Sequence, residues 1–238
     1  MKHPLCCGDP KFAHNYGRDN LWVDRISLDW MNDSKFRRAY DHACADYTQL
    51  YGAPQYEWRL HVLIGLATSA SRLNPESCFL DLGVHEGNYA LCIKEYFGSL
   101  PVSHHYLYDS WEGLSDLATE QEKCVVGSTY SDPSTYRRVL SKFSNDSRYS
   151  IVRGWLPNAL DNHFPDRPIS LLSVDLNSAL PEVESIKILW KMVLKGGYIL
   201  LDDYGRNPAQ RLAIDEFAQS ANQYVITLPT GQGLMVKS

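Results

Sequence analysis

The strongest constraint on the fold is a change of pattern at residue 78, after which short apolar segments alternate with helical patterns. The segments with the length and composition of buried strands are 79–84, 106–108, 149–152, 169–174, 198–201, 224–228 and 234–236. The helical patterns between them are 87–97, 134–143, 181–193 and 207–219. Apolar strands joined through helices are typical of βαβ units, so the sequence predicts an α/β fold with a mostly parallel, seven-stranded sheet. The short turn at 229–233 predicts that the sheet ends with an antiparallel pair.

The chain before residue 76 has a different character, and we expect it to form an N-terminal arm and helical extension ahead of a main domain at 76–238. Residues 1–33 are irregular, with Gly, Pro, Asn and Asp among aromatic residues. A capped helix is predicted over 34–51, and a second helix over 55–72. This extension (residues 1–75) could close over the ends of the strands, or it could form a contact in a homo-oligomer.

Composition excludes several classes of protein. The net charge is −5, and no run of Lys or Arg exceeds two residues, so nucleic acid and anionic membranes are not expected partners. No apolar stretch has the length of a membrane span, and the first residues lack the apolar centre of a signal peptide. The six cysteines form no CxxC pair, which indicates reduced thiols and a cytoplasmic protein. Cys6 and Cys7 could form a metal or redox pair, but an ordinary tail is the favoured interpretation.

A glycine-containing loop follows the first strand of the main domain. It runs from Asp81 through Gly83 to Gly87, and a helix begins at once. Glycine allows close approach to a ligand, and a helix N-terminus offers free N–H groups to a carboxylate or phosphate. A tight turn without a ligand would look similar, and the spacing is not the GxGxxG of dinucleotide enzymes. Asp109 ends the next strand 22 residues after Gly87 and could accept the hydroxyls of a ribose, or it could simply stabilise a turn. Together the two loops predict a nucleoside bound across the strand ends.

Acidic residues end two further strands. Asp175 follows the strand at 169–174, and Asp202 and Asp203 follow the strand at 198–201. Two strands joined by one right-handed crossover are often neighbours, so the three carboxylates are expected to converge. A divalent cation would relieve their repulsion, and oxygen ligands favour Mg²⁺ over Zn²⁺. In the alternative interpretation, Asp203 caps the next helix and Asp202 faces solvent.

Five segments in this order resemble a known family. They are FLDLGVHEG at 79–87, YLYDSWEGL at 106–114, VRGWL at 152–156, LLSVD at 171–175 and GGYILLDDYG at 196–205. The chain resembles, over about residues 56–238, the S-adenosylmethionine-dependent O-methyltransferases of the macrocin type, which methylate sugar hydroxyls in antibiotic biosynthesis. The resemblance implies a class I methyltransferase (Rossmann-like) fold with helices on both faces of the sheet. It also implies an enzyme that uses S-adenosylmethionine and Mg²⁺.

Loop position and resemblance together define the candidate site. The candidate cofactor-binding residues are Asp81, Gly83, His85, Glu86, Gly87, Asn88, Asp109, Ser110, Trp155 and Asp175. The candidate metal ligands are Asp175, Asp202 and Asp203. Trp155 could stack on an adenine, or it could pack beneath its own loop.

The residue that would act as general base differs from the family pattern. The family usually has a second aspartate two residues after its first metal ligand, and that aspartate is its proposed general base. This chain has Asn177 there, which cannot take up a proton near pH 7. The candidate catalytic residues are therefore Asp175, Asn177 and His85. A sugar hydroxyl is the expected acceptor, and its identity and the methylated position are not determined by the sequence. A catechol-like phenol, or a cofactor-binding protein without catalysis, is the alternative, and the missing GxGxxG argues against a dinucleotide oxidoreductase.

Overall fold

The computed structural model of the protein describes residues 14–19, 21–128 and 130–238. Its strands are β1 (His14–Arg18), β2 (Leu21–Ile26), β3 (Cys78–Leu82), β4 (His104–Asp109), β5 (Tyr149–Arg153), β6 (Ile169–Val174), β7 (Val193–Leu201), β8 (Val225–Thr227) and β9 (Gly233–Val236). Seven of them form one sheet in the order β5-β4-β3-β6-β7-β9-β8. The first five strands of that order are parallel, and β9 is antiparallel to both β7 and β8. The predicted sheet and its antiparallel end are confirmed.

Helices cover both faces of this sheet. They are α1 (Ser34–Ala43), α2 (Ala45–Tyr51), α3 (Glu57–Leu73), α4 (Asn88–Phe97), α5 (Glu120–Val126), α6 (Pro133–Phe143), α7 (Ala159–Asn162), α8 (Ala179–Leu189) and α9 (Pro208–Ser220). One apolar core lies between the sheet and α1, α3, α4 and α6, and a second lies between the sheet and α7, α8 and α9. Because Phe36 and Leu60 of the extension share the first core with Phe79 and Leu107 of the sheet, the extension packs directly on the main domain. The boundary at residues 75 and 76 stays a prediction.

The expectation of an irregular arm is wrong for residues 14–32. This segment forms the antiparallel hairpin β1–β2 and a short 3-10 helix (Asp29–Asn32), while residues 1–13, with Cys6 and Cys7, lie outside the described residues. The hairpin forms because its inner side chains find partners on α3. Tyr16 is buried with its ring centroid 5.3 Å from that of Trp58 in an edge-to-face arrangement, and Arg18 forms an ion pair with Glu57. Contacts distant in sequence, rather than a local pattern, therefore order this segment.

The helix predicted over 34–51 is interrupted. The chain leaves helical geometry at Cys44, where α1 ends and α2 begins, so that α1 packs along α4 while α2 carries Tyr47 and Tyr51 toward the ends of the strands. Two short helices were not predicted. The first, α5, begins at a reciprocal cap between Thr119 and Glu122, and the second is α7.

No helix among the described residues has the length and apolarity to cross a lipid bilayer. Within the same part of the chain, Cys44, Cys78, Cys92 and Cys124 are all free thiols, as expected of reduced cysteines. The cytoplasmic location and the homo-oligomer stay predictions.

A buried ion pair joins the glycine loop to α6. The Glu86 side chain is fully buried, and Arg138 donates from Nε to its Oε2 at 3.0 Å. Lys142 donates from Nζ to the Glu86 carbonyl oxygen at 2.7 Å. These bonds hold the start of α4 against α6, because a buried carboxylate is stable only when its charge is compensated.

Removing Arg138 should therefore leave the buried Glu86 carboxylate with Lys142 Nζ, 3.9 Å away, as its remaining positive partner among the described residues. We expect Arg138→Ala to lower the free energy of unfolding by about 3 kcal/mol, measured by urea denaturation. The neighbouring Arg137→Ala is the matched control, because Arg137 is exposed on the same helix, and its effect should stay within about 0.5 kcal/mol. Equal effects of the two substitutions would show that the Glu86 charge is stabilised in another way.

Candidate active site

A deep crevice opens at the carboxyl ends of β3, β4, β6 and β7. The strand order reverses between β3 and β6, since β3 is followed in the chain by β4 on one side and later by β6 on the other. Ligands of open α/β sheets bind at such a reversal. The cavity there has a volume of about 380 Å³, and it is lined by all the candidate site residues except Gly87. The sheet topology therefore brings together residues that are far apart in the sequence.

The glycine loop turns sharply at the floor of the crevice. Gly83 has a φ of +85°, and a Cβ atom there would lie 1.8 Å from the carbonyl oxygen of Asp175, so no other residue fits. Gly87 also has a positive φ, and its added Cβ would lie 3.0 Å from the Phe143 ring. His85 adopts a left-handed conformation with a φ of +47°. The loop thus lies close against the end of β6, as its two glycines predicted.

Asp109 ties this loop to the end of β4. Its Oδ2 accepts from the backbone N–H groups of Val84 and His85, both at 2.8 Å, and its Oδ1 accepts from the N–H of Trp111 at 2.7 Å. A carboxylate offers about four acceptor positions, so most of this capacity serves the protein itself. The predicted contact with a ribose is untested, and the structure adds a role in holding the loop. The adjacent Ser110 donates to the Gly113 carbonyl oxygen at 2.9 Å.

Two of the residues that line the cavity each have a buried polar atom without a partner among the described residues. Asn88 donates from Nδ2 to the Tyr56 hydroxyl at 2.7 Å, but its Oδ1 is buried and unpaired. The Nε2 atom of His85 is also buried and unpaired. Buried polar atoms in a folded protein normally have partners, so these two mark polar positions of the lining that a ligand contact could satisfy.

The His85 ring lies in a box of three tyrosines. Its centroid is 6.1 Å from that of Tyr47, 5.9 Å from that of Tyr51 and 5.0 Å from that of Tyr130. Burial lowers the pKa of His85 below its ordinary value, so the imidazole is neutral at pH 7. Sequence reasoning missed these tyrosines, because no spacing in the sequence connects α2 and the segment before α6 to the glycine loop.

Asp81 and Trp155 line the cavity, and their polar contacts are with other residues of the protein. Asp81 is buried, and its Oδ1 lies 3.2 Å from Nε2 of His105 on β4. Trp155 is 44% exposed and donates from Nε1 to the Gly113 carbonyl oxygen at 3.3 Å. Both line the crevice, and their contacts with a cofactor stay predictions.

The three predicted acids converge as expected. Strands β6 and β7 are parallel neighbours, with Val174 opposite Leu201, so Asp175 and Asp202 leave the sheet side by side. Burial and the charges of Asp202 and Asp203 raise the pKa of Asp175 well above its usual range. Burial and Asp202 also raise the pKa of Asp203. The Nδ2 atom of Asn177 donates to Oδ1 of Asp175 at 2.9 Å, and Oδ2 of Asp175 accepts no hydrogen bond from the described residues.

A fourth acid, Glu182 on α8, lies behind this cluster. It is fully buried, and burial raises its pKa to about 8. Its Oε1 accepts from the backbone N–H of Leu176 at 3.0 Å and from Nε2 of Gln210 at 2.6 Å. Glu182 therefore stabilises the loop that carries Asp175 and Asn177. Sequence reasoning gave it no role.

Arg59 is the counter-ion of the cluster. Its guanidinium, only 4% exposed, donates to the Oδ2 atom of Asp202 and to Oδ2 of Asp19 at the hairpin tip, the latter at 2.6 Å. The other carboxylate oxygen of Asp202 accepts from Tyr89 at 2.7 Å and from Gln232 at 2.9 Å. Both oxygens of Asp202 are thus bonded within the protein.

The predicted magnesium site does not fit this arrangement. Among the described residues, no group of three His, Cys, Asp or Glu side chains is arranged to hold a metal ion. In addition, Arg59 already bonds Asp202, the aspartate that would complete the triad. Mg²⁺ binding by Asp175, Asp202 and Asp203 stays a prediction from the sequence.

Removing the arginine should change how the cluster binds cations. In Arg59→Met the three acids lose their nearest positive charge, so we expect Mn²⁺ to bind at least about tenfold more tightly than to the wild type. Electron paramagnetic resonance of free Mn²⁺ during a titration measures this affinity. Adding Asp203→Asn to Arg59→Met should reverse the gain. Equal or weaker binding by Arg59→Met would show that Arg59 does not compete with a cation here.

Comparisons with known proteins agree with this geometry. The model of the family described as Macrocin-O-methyltransferase (TylF) matches residues 57–229. The structure of the O-methyltransferase NovP is 18% identical, with a TM-score of 0.65 over 76% of this chain and 79% of that one. The calicheamicin methyltransferase CalS11 is 14% identical, with a TM-score of 0.60 over 94% of this chain and 97% of that one. At these identities the structures show a shared fold. A comparison with curated protein sequences gave no match.

Proposed function

This chain belongs to the macrocin O-methyltransferase family and is an O-methyltransferase, and from that premise we propose that it methylates a hydroxyl of a sugar or glycosylated natural product. S-adenosylmethionine is the proposed methyl donor. The observation that carries the proposal is the single crevice, lined at one end by the glycine loop and Asp109 and at the other by Asp175, Asp202 and Asp203. We call the first of these the donor end and the second the acceptor end, because a methyl donor and an acceptor held there would meet over β3 and β6.

The residues of the donor end fit a cofactor that joins a nucleoside to an amino acid. The unpaired Oδ1 of Asn88 and Nε2 of His85 can each bond a polar group of such a ligand. Asp109 holds the glycine loop in the shape that allows close approach, and the half-exposed ring of Trp155 borders the same end. When bound, the cofactor supplies an electrophilic methyl carbon on a sulfonium, so the protein needs no redox chemistry.

The acceptor end must hold a hydroxyl in line with that carbon and take its proton. We assign the proton to Asp175, because Asn177 occupies only its Oδ1 and leaves Oδ2 available. Arg59 and Tyr89 fix Asp202, and so shape the wall against which the acceptor would lie. Mg²⁺ would require Asp202 to give up its bond with Arg59, and no step of this mechanism depends on the ion. His85 is the alternative base, since its neutral ring has a free nitrogen.

The loop-holding role of Asp109 can be tested through cofactor binding. An Asn side chain has one acceptor oxygen and would turn an NH₂ group toward a backbone N–H, so we expect Asp109→Asn to weaken S-adenosylhomocysteine binding by about tenfold or more. Isothermal titration calorimetry measures the affinity. Asp116→Asn is the control, because Asp116 is exposed, and it should bind like the wild type. Unchanged affinity in Asp109→Asn would remove Asp109 from the cofactor site.

The acceptor class can be tested with a panel of macrocin, TDP-rhamnose and catechol, using S-adenosylmethionine labelled in its methyl group. We expect label in a sugar acceptor and none in catechol, and we expect Asp175→Asn to lower turnover by about 100-fold or more. His85→Gln separates the two bases, because at saturating S-adenosylmethionine it should retain turnover if Asp175 takes the proton. Transfer to catechol alone would support the phenolic alternative. Cofactor binding without transfer to any acceptor would support a non-catalytic homologue.

A further inference from the structure

The segment between β4 and α6 borders the crevice, and we name its described residues 113–128, 130 and 131 the cover segment. At its start, Gly113, Leu114 and Ser115 line the cavity, and the Gly113 carbonyl oxygen accepts from Trp155 at the donor end. At its other end, the Tyr130 ring lies 5.0 Å from the His85 ring. Tyr130 also lines the cavity, and the charges of Asp175, Asp203 and Asp202 add to the effect of burial in raising its pKa. The cover segment therefore contributes to the cavity lining at both of its own ends.

The cover segment has little packing of its own. Of its described residues only Ala118 is buried, and the apolar side chains of Leu117 and Val125 are 42% and 82% exposed. Its helix α5 has seven residues and buries none of them. Segments with few buried apolar contacts open at low free energy, so some other interaction must hold this one closed.

Glu122, in the middle of the cover segment, provides that interaction. Its Oε1 accepts from the backbone N–H of Ala179 at 2.8 Å, and its Oε2 accepts from the Ser178 hydroxyl at 3.2 Å. Among residues 114–128, 130 and 131, it is the only one with a hydrogen bond to another described part of the chain. Ser178 does not cap α8 with its own side chain, and Glu122 caps that helix from the cover segment. Its Oε2 also accepts from the N–H and hydroxyl of Thr119, which begins α5.

These bonds connect the cover segment to the loop that carries Asp175 and Asn177. Helix α8 begins four residues after Asp175, and Asn177 lies between them with a φ of +55°. Burial by itself would raise the pKa of Glu122, but the bonds from Ala179 and Thr119 outweigh burial and lower it. The carboxylate is therefore charged at neutral pH, and charge-assisted hydrogen bonds of this kind are the stronger ones.

We infer that Glu122 is a positioning residue that fastens the cover segment over the crevice, so that cofactor exchange requires the release of its bonds to Ser178 and Ala179. This inference rests on the proposed function, because it takes S-adenosylmethionine and its product as the ligands beneath the cover. It assigns to one side chain the closure of the donor end and the placement of Tyr130 beside His85.

Stopped-flow fluorescence of S-adenosylhomocysteine binding tests this assignment. Glu122→Ala removes two charge-assisted hydrogen bonds to the start of α8, and each corresponds to about tenfold in an equilibrium, so we expect both the association and the dissociation rate constants to rise by about tenfold or more. Glu122→Gln keeps one acceptor oxygen and should give intermediate rates. Glu120→Ala is the matched control, because Glu120 lies on the same helix with a 92% exposed side chain, and its rates should equal those of the wild type.

The association and dissociation rate constants together distinguish a loosened cover segment from a loss of direct contacts with the cofactor. Faster dissociation without faster association in both Glu122 variants would indicate lost contacts and would overturn the inference, as would wild-type rates. Hydrogen exchange of residues 114–131 needs no ligand and should increase in Glu122→Ala and Glu122→Gln but not in Glu120→Ala. Unchanged exchange would also overturn the inference. If the wild type does not bind S-adenosylhomocysteine, the proposed cofactor is wrong, and the exchange experiment then decides whether Glu122 holds the segment.

Discussion

The active site depends on the electrostatic balance of carboxylates at the ends of β6 and β7. Asp175, Asp202 and Asp203 converge there because two parallel neighbours end at the same edge of the sheet. Like charges in a poorly solvated place are unfavourable, and their effect is visible in the raised pKa values of Asp175 and Asp203. Arg59 offsets part of this cost, and it belongs to a helix that precedes the sheet in the chain. The N-terminal extension is therefore part of the site's electrostatics.

The same extension also determines the shape of the crevice. Helix α3 brings Arg59 to the acceptor end, and α2 brings Tyr47 and Tyr51 to the box around His85. The hairpin tip adds Asp19, which shares the guanidinium of Arg59 and also accepts from Arg206 at 2.7 Å. Only the part of the extension from residue 57 onward lies within the match to the family model. The hairpin and α2 are thus features of this chain that the match does not include.

Sequence patterns predicted the sheet and helix α3 of the extension well and missed the hairpin, for a physical reason. Buried parallel strands are apolar on both faces, so segments such as 169–174 are recognisable without any knowledge of their neighbours. The hairpin at 14–26 has no such pattern, because it is ordered by Trp58 and Glu57 on a distant helix. The acids at the strand ends were likewise found from topology alone. Their counter-ion was not, since no motif connects Arg59 to Asp202 across 143 residues.

By itself the sequence determined the α/β class, the glycine loop and the convergence of Asp175 with Asp202 and Asp203, because each follows from local pattern and the rules of parallel sheets. Only the tertiary structure decided which hydrogen-bond donors these carboxylates accept from. In the folded chain Asp109 accepts from the glycine loop, Asp202 from Arg59, and Glu122 from the start of α8. Hydrogen-bonding capacity is limited, and which donor reaches a carboxylate depends on distances that the order of residues does not encode locally.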